Sequence, residues 1–275
     1  MLNGRCDIFY LLDDLHRVSG DKENSRKYVD LLKKHSFPKT KVVSWDYCLK
    51  RLTEKLQGCS FDVSIGMGKT GNLISNDLKD RGIKLGSLIT FYVTRLSNHK
   101  WEKIAYMHTP GHQSLDKQAK EIKKIIINAK NIAIIDDVTY SGGTRKILEK
   151  IIANGQSVTA VDLVTIKSAK KINNYNADWV SGICLSHDPY PTTNSKRQVD
   201  VMNVSEFIYP SKIIGKILKG KVDDNKVLWK GDVKVLRKVP YTDNNERNTV
   251  YFGKHGKHIQ KETRKIQKKL KSIYR

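Results

Sequence analysis

Short apolar runs alternate with amphipathic segments through the middle of the chain. The runs are short enough to be buried strands, and they span residues 61–65, 88–93, 132–135 and 158–166. Between them lie segments whose apolar residues recur every three or four positions, the spacing of one helix face. Strands that alternate with helices predict an α/β fold with a parallel sheet and right-handed crossovers. Ligands of such sheets bind beyond the carboxyl ends of the strands.

The regions on either side of this alternating core have other patterns. Residues 1–58 are predicted to form a helical N-terminal region or hood, residues 59–215 the core, and residues 216–275 a small β segment followed by a basic C-terminal helix at 258–275. Within the core, residues 96–113 carry few periodic apolar positions. We expect them to form a long loop.

Composition and charge narrow the class of protein. The 275 residues are 39% hydrophobic, which is enough for a proper core, and 51 Lys and Arg against 28 Asp and Glu give a net charge of +23. Such an excess predicts a polyanionic partner, and a phosphate-rich small substrate or a nucleic acid would both qualify. No apolar run approaches the roughly 18 residues that cross a bilayer. We therefore expect a cytoplasmic protein with no membrane partner.

The four cysteines carry little further information. They form no CxxC pair and have no histidine at ligand spacing, so a zinc site is not expected. Their predicted state is that of buried, reduced thiols.

A segment rich in glycine and hydroxyl groups follows the third apolar run. Asp136 and Asp137 stand at the end of that run, and the turn at 138–144 then opens a helix. Glycines let the backbone approach an anion closely, and the free N–H groups of a helix start can cradle phosphate. Two carboxylates would repel phosphate, but they suit sugar hydroxyls or a magnesium shell. The segment therefore predicts a site for a phosphorylated sugar.

The segment from Asn131 to Thr144 resembles the signature of type I phosphoribosyltransferases, which has four apolar residues, two acids and a loop that ends in Gly-Gly-Thr. The resemblance implies the parallel sheet of that fold and binding of phosphoribosyl pyrophosphate (PRPP). It also implies that the catalytic pair, Asp136 and Asp137, holds the ribose hydroxyls and Mg2+. The 5-phosphate would be bound by Thr139, Tyr140, Ser141, Gly142, Gly143 and Thr144.

The resemblance extends to the neighbouring segments. The loop after the first core strand binds pyrophosphate in that family, and it corresponds here to Gly66, Met67, Gly68, Lys69 and Thr70. Arg95 is similar in place to a basic residue that helps to hold pyrophosphate, and residues 96–113 correspond to the mobile loop that closes over the site. Lys69 also fits a solvated lysine on a turn.

Two other phosphate-binding motifs fit the same loop poorly. A nucleoside-triphosphate P-loop requires a glycine where Val63 stands. The dinucleotide fingerprint requires an acid-ended second strand about 20 residues further on, and none follows.

The acceptor of the phosphoribosyl group is less legible. Tyr140 stands where 6-oxopurine enzymes of the family usually have an aspartate, and in this it resembles the pyrimidine-operon attenuation regulators, which bind RNA. The residues around Trp179, Phe207 and Tyr209 resemble the region that supplies an aromatic lid for the base in purine enzymes. These three residues are therefore predicted to bind the acceptor. Packing in the core would also explain them.

These observations leave three functions open. The first is transfer of phosphoribose from PRPP to a nucleobase, with a purine-like base slightly favoured. The second is a PRPP-sensing regulator that binds nucleic acid through the basic C-terminal helix, and the third is transfer to an acceptor that is not a base. We also expect a homodimer.

Overall fold

The computed structural model describes residues 6–35, 39–97, 104–109, 112–139, 142–149, 151–152, 155–166, 178–185, 198–205 and 256–273. The strands are β1 (Cys6–Asp13), β2 (Lys39–Ser44), β3 (Val63–Met67), β4 (Ser87–Phe91), β5 (Val93–Ser97), β6 (Ile104–His108), β7 (Asn131–Thr139), β8 (Ser157–Ile166), β9 (Asp178–Leu185) and β10 (Gln198–Asn203). The helices are α1 (Leu15–Ser19), α2 (Lys22–His35), α3 (Trp45–Leu56), α4 (Gly68–Asp80), α5 (Leu115–Ile126), α6 (Gly143–Glu149) and α7 (Gly256–Ile273).

The central sheet has five parallel strands in the order β4-β3-β7-β8-β9. This confirms the predicted α/β class. One core contains alternate residues of β3 and β7, Phe91 of β4 and one face of α5, whose buried positions Leu115, Ala119, Ile122 and Ile126 have helical spacing. The four predicted core strands all form. β3, β7 and β8 are largely buried, whereas the edge strand β4 is buried only at Phe91.

The strand order has a switch point between β3 and β7. The chain leaves β3 for β4 on one side of it, later enters β7 on the other side, and continues outward to β8 and β9. Connections that diverge in this way leave a crevice at the carboxyl ends of the two strands, where α/β proteins bind ligands.

Contacts within the chain define two compact units. The first contains β1, α1, α2, β2, β10 and α7, and the second contains the described residues from Asp46 to Leu185. This division differs from the three regions predicted from the sequence. In the second unit α3 packs closely on β9, since a methyl group at Gly182 would lie 2.3 Å from the Cys48 carbonyl oxygen.

The first unit is built on a parallel sheet in the order β10-β1-β2. The prediction that residues 1–58 are helical is wrong for β1 and β2. β1 is an apolar run with a partner strand on each side, and one of those partners, β10, is remote in the sequence. The predicted C-terminal helix forms as α7 and packs on α2, where Ile259 is buried and the Tyr28 and Thr263 hydroxyls lie 2.7 Å apart.

The region predicted as one long loop contains a two-stranded antiparallel ribbon. β5 and β6 pair from Val93 with His108 to Ser97 with Ile104. β5 reads Val-Thr-Arg-Leu-Ser and β6 reads Ile-Ala-Tyr-Met-His, so neither has the strict alternation of apolar and polar residues that predicts a half-buried strand. The small β segment predicted between residue 216 and the C-terminal helix lies outside the described residues.

The cysteines differ in exposure. Cys48, Cys59 and Cys184 are free thiols, but only Cys48 is buried, so the prediction of buried thiols is wrong for the other two. None of the described helices is long and apolar enough to cross a membrane.

Candidate active site

The two predicted carboxylates lie in the last part of β7, at the switch point. Asp136 Oδ1 accepts a hydrogen bond from the Asp137 backbone N–H at 3.0 Å, and Asp137 Oδ1 accepts one from Val138 N–H at 2.7 Å. Both side chains are half-buried. Burial, followed by the negative charges of Asp137 and Asp162, raises the pKa of Asp136 well above its usual value, while Arg145 opposes the rise. Asp136 is therefore a carboxylate that a hydroxyl donor or a cation would stabilise.

The segment after these acids is a strand-to-helix turn. β7 ends at Thr139, and α6 begins at Gly143. Gly142 has a φ of 64°, in the left-handed region that glycine adopts without steric cost. Thr144 is half-buried in the first turn of α6, and Tyr140 and Ser141 lie outside the described residues. The described part of the turn thus has the glycine conformation and the helix start that a phosphate cradle needs.

The turn between β3 and α4 presents a second helix start. Met67 precedes α4 and provides no capping hydrogen bond from its side chain, so the first N–H groups of the helix remain available to an anion. Gly68 has a φ of 62°, and Lys69 is exposed beside it. Thr70 completes the first turn of the helix.

The two turns are direct neighbours. Gly66 pairs with Ile135 in the ladder between β3 and β7, so Asp136 follows immediately beyond the last paired residue. A methyl group at Gly71 would lie 2.5 Å from the Ile135 carbonyl oxygen, and one at Gly66 would lie 2.8 Å from the Asn72 nitrogen. Glycine is required at both positions because backbone approaches backbone there. The structure thus brings together the two segments that the sequence assigned to pyrophosphate and to ribose.

A buried polar network, which we did not predict from the sequence, joins β7, α6, β8 and β9. Asp162 Oδ1 accepts hydrogen bonds from the Thr139 hydroxyl at 3.0 Å and from Arg145 at 2.5 Å. Its Oδ2 accepts from Trp179 Nε1 at 2.6 Å and from the Thr165 hydroxyl at 3.2 Å. The Arg145 guanidinium lies 4.7 Å from the centre of the Trp179 ring. Burial raises the pKa of Asp162, and its positive and hydrogen-bonding partners oppose that rise.

One signal in the sequence could have revealed this network. Asp162 stands in the middle of the apolar run at 158–166, and a carboxylate in a buried strand needs a partner. Arg145, which is 1% exposed, is that partner.

The remaining predicted site residues are not assembled by the described structure. Trp179 lies on β9. Its Nε1 lies within hydrogen-bonding distance of Asp162 and Thr165, and its ring contacts Arg145. Its contact with an acceptor stays a prediction. Arg95 lies in β5 opposite Tyr106, but the placement of its side chain is outside the described structure. Phe207 and Tyr209 lie outside the described residues altogether.

The fold and the site define an α/β protein with a ligand crevice at the switch point of its sheet. No family model matches the chain, and no curated protein matches it. Among solved structures, the chain is similar to a hypothetical protein from Neisseria gonorrhoeae with bound ppGpp, at 17% identity and a TM-score of 0.38, covering 58% of this chain and 85% of that one.

The similar structures also include phosphoribosyltransferases. The purine phosphoribosyltransferase from Pyrococcus horikoshii is 15% identical, with a TM-score of 0.36 and coverage of 58% of this chain and 89% of that one. The xanthine-guanine-hypoxanthine enzyme of Helicobacter pylori is 13% identical, with a TM-score of 0.33 and coverage of 57% and 85%. Because these sequence identities and TM-scores are too low to carry a function from one protein to another, we infer function from the residues of the chain itself.

Proposed function

We propose that this protein is a type I phosphoribosyltransferase, which moves the 5-phosphoribosyl group from PRPP to a nucleobase and releases pyrophosphate. The observation that carries the proposal is the pairing of Gly66 with Ile135. It places an uncapped helix start directly beside two adjacent carboxylates at the switch point, an arrangement suited to a ligand with both phosphates and a diol.

Each segment has a distinct part in this proposal. Asp136 and Asp137 accept hydrogen bonds from the ribose hydroxyls, and the turn at 139–144 binds the 5-phosphate. The turn at 66–70 binds pyrophosphate, with Lys69 and Arg95 offsetting its charge. Residues 96–113 would cover the site and exclude water, which would otherwise hydrolyse the activated sugar.

The carboxylates also fit a magnesium ion. Among the described residues no group of three or more His, Cys, Asp or Glu could hold a metal, so the protein would supply few of the ligands. Asp136 and Asp137 are oxygen donors of the kind Mg2+ prefers, and a cation beside Asp136 would oppose the rise in its pKa that burial and its acidic neighbours cause. Magnesium, when bound, would offset the charge of the departing pyrophosphate.

The reaction itself needs no covalent intermediate. The bond between C1 of the sugar and a pyrophosphate oxygen breaks, a bond between C1 and an acceptor nitrogen forms, and the proton of that nitrogen passes to the released pyrophosphate or to water. Positive charge develops on the ring meanwhile, close to the two carboxylates. A purine-like acceptor that stacks on Trp179, Phe207 and Tyr209 remains the favoured choice, although Tyr140 departs from the purine enzymes. A homodimer in the cytoplasm is part of the same proposal.

A product screen and a binding measurement test the proposal. The protein is incubated with PRPP, Mg2+ and a panel of purines, pyrimidines, other heterocycles and non-base acceptors, and pyrophosphate release is followed. We expect release with at least one acceptor, and its chemistry will decide between base and non-base transfer.

In calorimetry, replacement of Asp136 and Asp137 by Asn should weaken PRPP binding by about 100-fold or more, because two charged hydrogen-bond acceptors are lost. The control is Asp80→Asn, which removes the same charge as each single substitution but at an exposed position of α4. This variant should bind PRPP as the wild type does. Unchanged affinity in the double variant would show that the ligand binds elsewhere.

A second candidate function is that of a PRPP-sensing regulator that binds nucleic acid. α2 and α7 together contain twelve Lys or Arg but three Asp or Glu. The apolar side of α7 is already packed in the core of the first unit through Ile259. Its opposite side is exposed, with Lys257, Lys261, Arg264, Lys265 and Lys268. Such a face suits a phosphate backbone.

Fluorescence anisotropy with labelled RNA and DNA at increasing salt concentration tests whether the protein binds nucleic acid as a regulator would. Replacing Lys261, Arg264 and Lys268 by Gln should weaken binding and reduce the slope of log K against log salt by about 2 to 3, which is the loss of three phosphate contacts. The control replaces Lys79, Lys120 and Lys124 by Gln, which are exposed lysines of the second unit. Equal losses in both variants would argue against a specific role for α7.

A further inference from the structure

Both ends of the predicted 5-phosphate turn are tied to one buried carboxylate. β7 enters the turn at Thr139, whose hydroxyl donates to Asp162 at 3.0 Å and accepts from Arg145 at 3.2 Å. α6 leaves the turn at Gly143, and Arg145 in its first turn contacts the same carboxylate at 2.5 Å. Trp179 on β9 donates to the other carboxylate oxygen. Four elements therefore meet at Asp162.

Stability alone does not require a buried ion pair at this position. A buried ion pair gains little over well-packed apolar side chains of similar volume, because both charges lose their hydration. The Arg145 guanidinium is bonded through one nitrogen to Thr139 and Asp162 and stacks on the Trp179 ring, which restricts its orientation more than that of a lysine or an aliphatic side chain. What the network adds is therefore a fixed geometry for the elements that it joins.

We propose that Arg145, Asp162 and Trp179 are positioning residues, which hold the two ends of the 139–144 turn at the spacing that a 5-phosphate requires. They act on the 5-phosphate through the turn and do not contact the 5-phosphate themselves. The inference rests on the proposed function, because it takes this turn to be the 5-phosphate site. Donors that are fixed before the ligand arrives lose less conformational freedom on binding, so the network raises affinity.

Two conservative variants disturb the network, and a third serves as a matched control. Arg145→Lys keeps the positive charge but loses the planar fork and the stacking. Trp179→Phe keeps a ring beside Arg145 but removes the Nε1 donor. Leu148→Ala opens a cavity at a buried position of the same helix, and Leu148 packs in the apolar core, where it has no part in the network.

Calorimetry with ribose 5-phosphate and, separately, with inorganic pyrophosphate in the presence of Mg2+ tests the inference. Both network variants should bind ribose 5-phosphate about tenfold more weakly or worse, since small displacements of binding groups are costly. Their affinity for pyrophosphate should stay within about twofold, because its predicted site at 66–70 is a separate element. Leu148→Ala should lower the thermal midpoint but keep its affinity for ribose 5-phosphate.

Three results would overturn the inference. Unchanged affinity for ribose 5-phosphate in both network variants would remove the inference alone and leave the proposed function standing. Equal losses for both ligands, shared by Leu148→Ala, would reduce the network to a role in stability. A wild-type protein that binds no ribose 5-phosphate would overturn the proposed function and this inference together.

Discussion

At the scale of single residues, Asp136 is in an electrostatically unfavourable position. It is half-buried, Asp137 follows it in the chain, and Asp162 stands opposite it in the ladder with β8. These neighbours and the burial raise its pKa, because they disfavour the ionised form. The folded protein therefore gives up stability at this position at neutral pH, as is common where a site is organised for a ligand.

Asp136→Asn should consequently stabilise the ligand-free protein at neutral pH. A raised pKa means that the folded state holds this proton more tightly than the unfolded state does. Its contribution to stability is complete below the unfolded pKa, near 4, and is lost as the pH rises through the folded value. We expect a gain of about 1 kcal/mol, or roughly 2–4 °C, at pH 7 to 8. Differential scanning fluorimetry without magnesium or phosphate measures it.

The pH dependence distinguishes this cause from a simple packing effect. The gain should shrink towards pH 4, where the carboxyl is protonated in the folded state and about half protonated in the unfolded state. Asp80→Asn, at an exposed position, should show no such pH-dependent gain. A gain that is equal at all three of pH 4, 6 and 8 would contradict the electrostatic account.

At the scale of elements, the contact between β3, α4 and β7 joins the two halves of the site. Gly71 lies in the first turns of α4, and its Cα is so close to β7 that a methyl group would meet the Ile135 carbonyl oxygen at 2.5 Å. Both partners are backbone, which cannot move aside as a flexible side chain can. The absence of a side chain at Gly71 therefore sets the separation of the turns at 66–70 and 139–144.

Gly71→Ala should force α4 away from β7. The expected cost is about 1–3 kcal/mol of stability, typical of overpacking, together with weaker PRPP binding in calorimetry. Gly58→Ala is the matched control: Gly58 has a φ of 82° and open space around it, so alanine there is strained without pushing any neighbour. It should lose stability and keep its affinity. Wild-type binding by Gly71→Ala would show that the two turns are independent.

The elements that sequence reasoning predicted are those whose own residues determine them. The strands β3, β4, β7 and β8 follow from mainly apolar runs, and α5 shows buried residues at helical spacing. β1 was missed because its neighbour β10 comes from a remote part of the chain. In the site, the paired acids and glycines were legible as a motif, whereas Arg145 and Trp179 became partners of Asp162 only through the fold.

At the scale of the whole molecule, the candidate active site and much of the excess charge belong to different units. The described site residues all lie in the second unit, whereas α2 and α7 lie in the first. The net charge of +23 follows from the sequence alone. The packing of two helices that carry a large share of this charge is seen only in the structure. The basic residues of the two helices lie in one unit because α7 packs on α2. Tyr28 contacts Thr263 there, and His35 contacts His258.

The carboxylate of Asp162, with its four donors, also restricts how this sequence can diverge. Losing Arg145 or Asp162 alone strands a buried charge, at a cost of about 3–5 kcal/mol, which few lineages could tolerate. Change at these positions must therefore be concerted. Descendants of a common ancestor should carry Arg145, Asp162 and Trp179 together, or else an apolar set of similar volume in which none survives. Covariation of these three positions would be the evolutionary record of a single physical constraint.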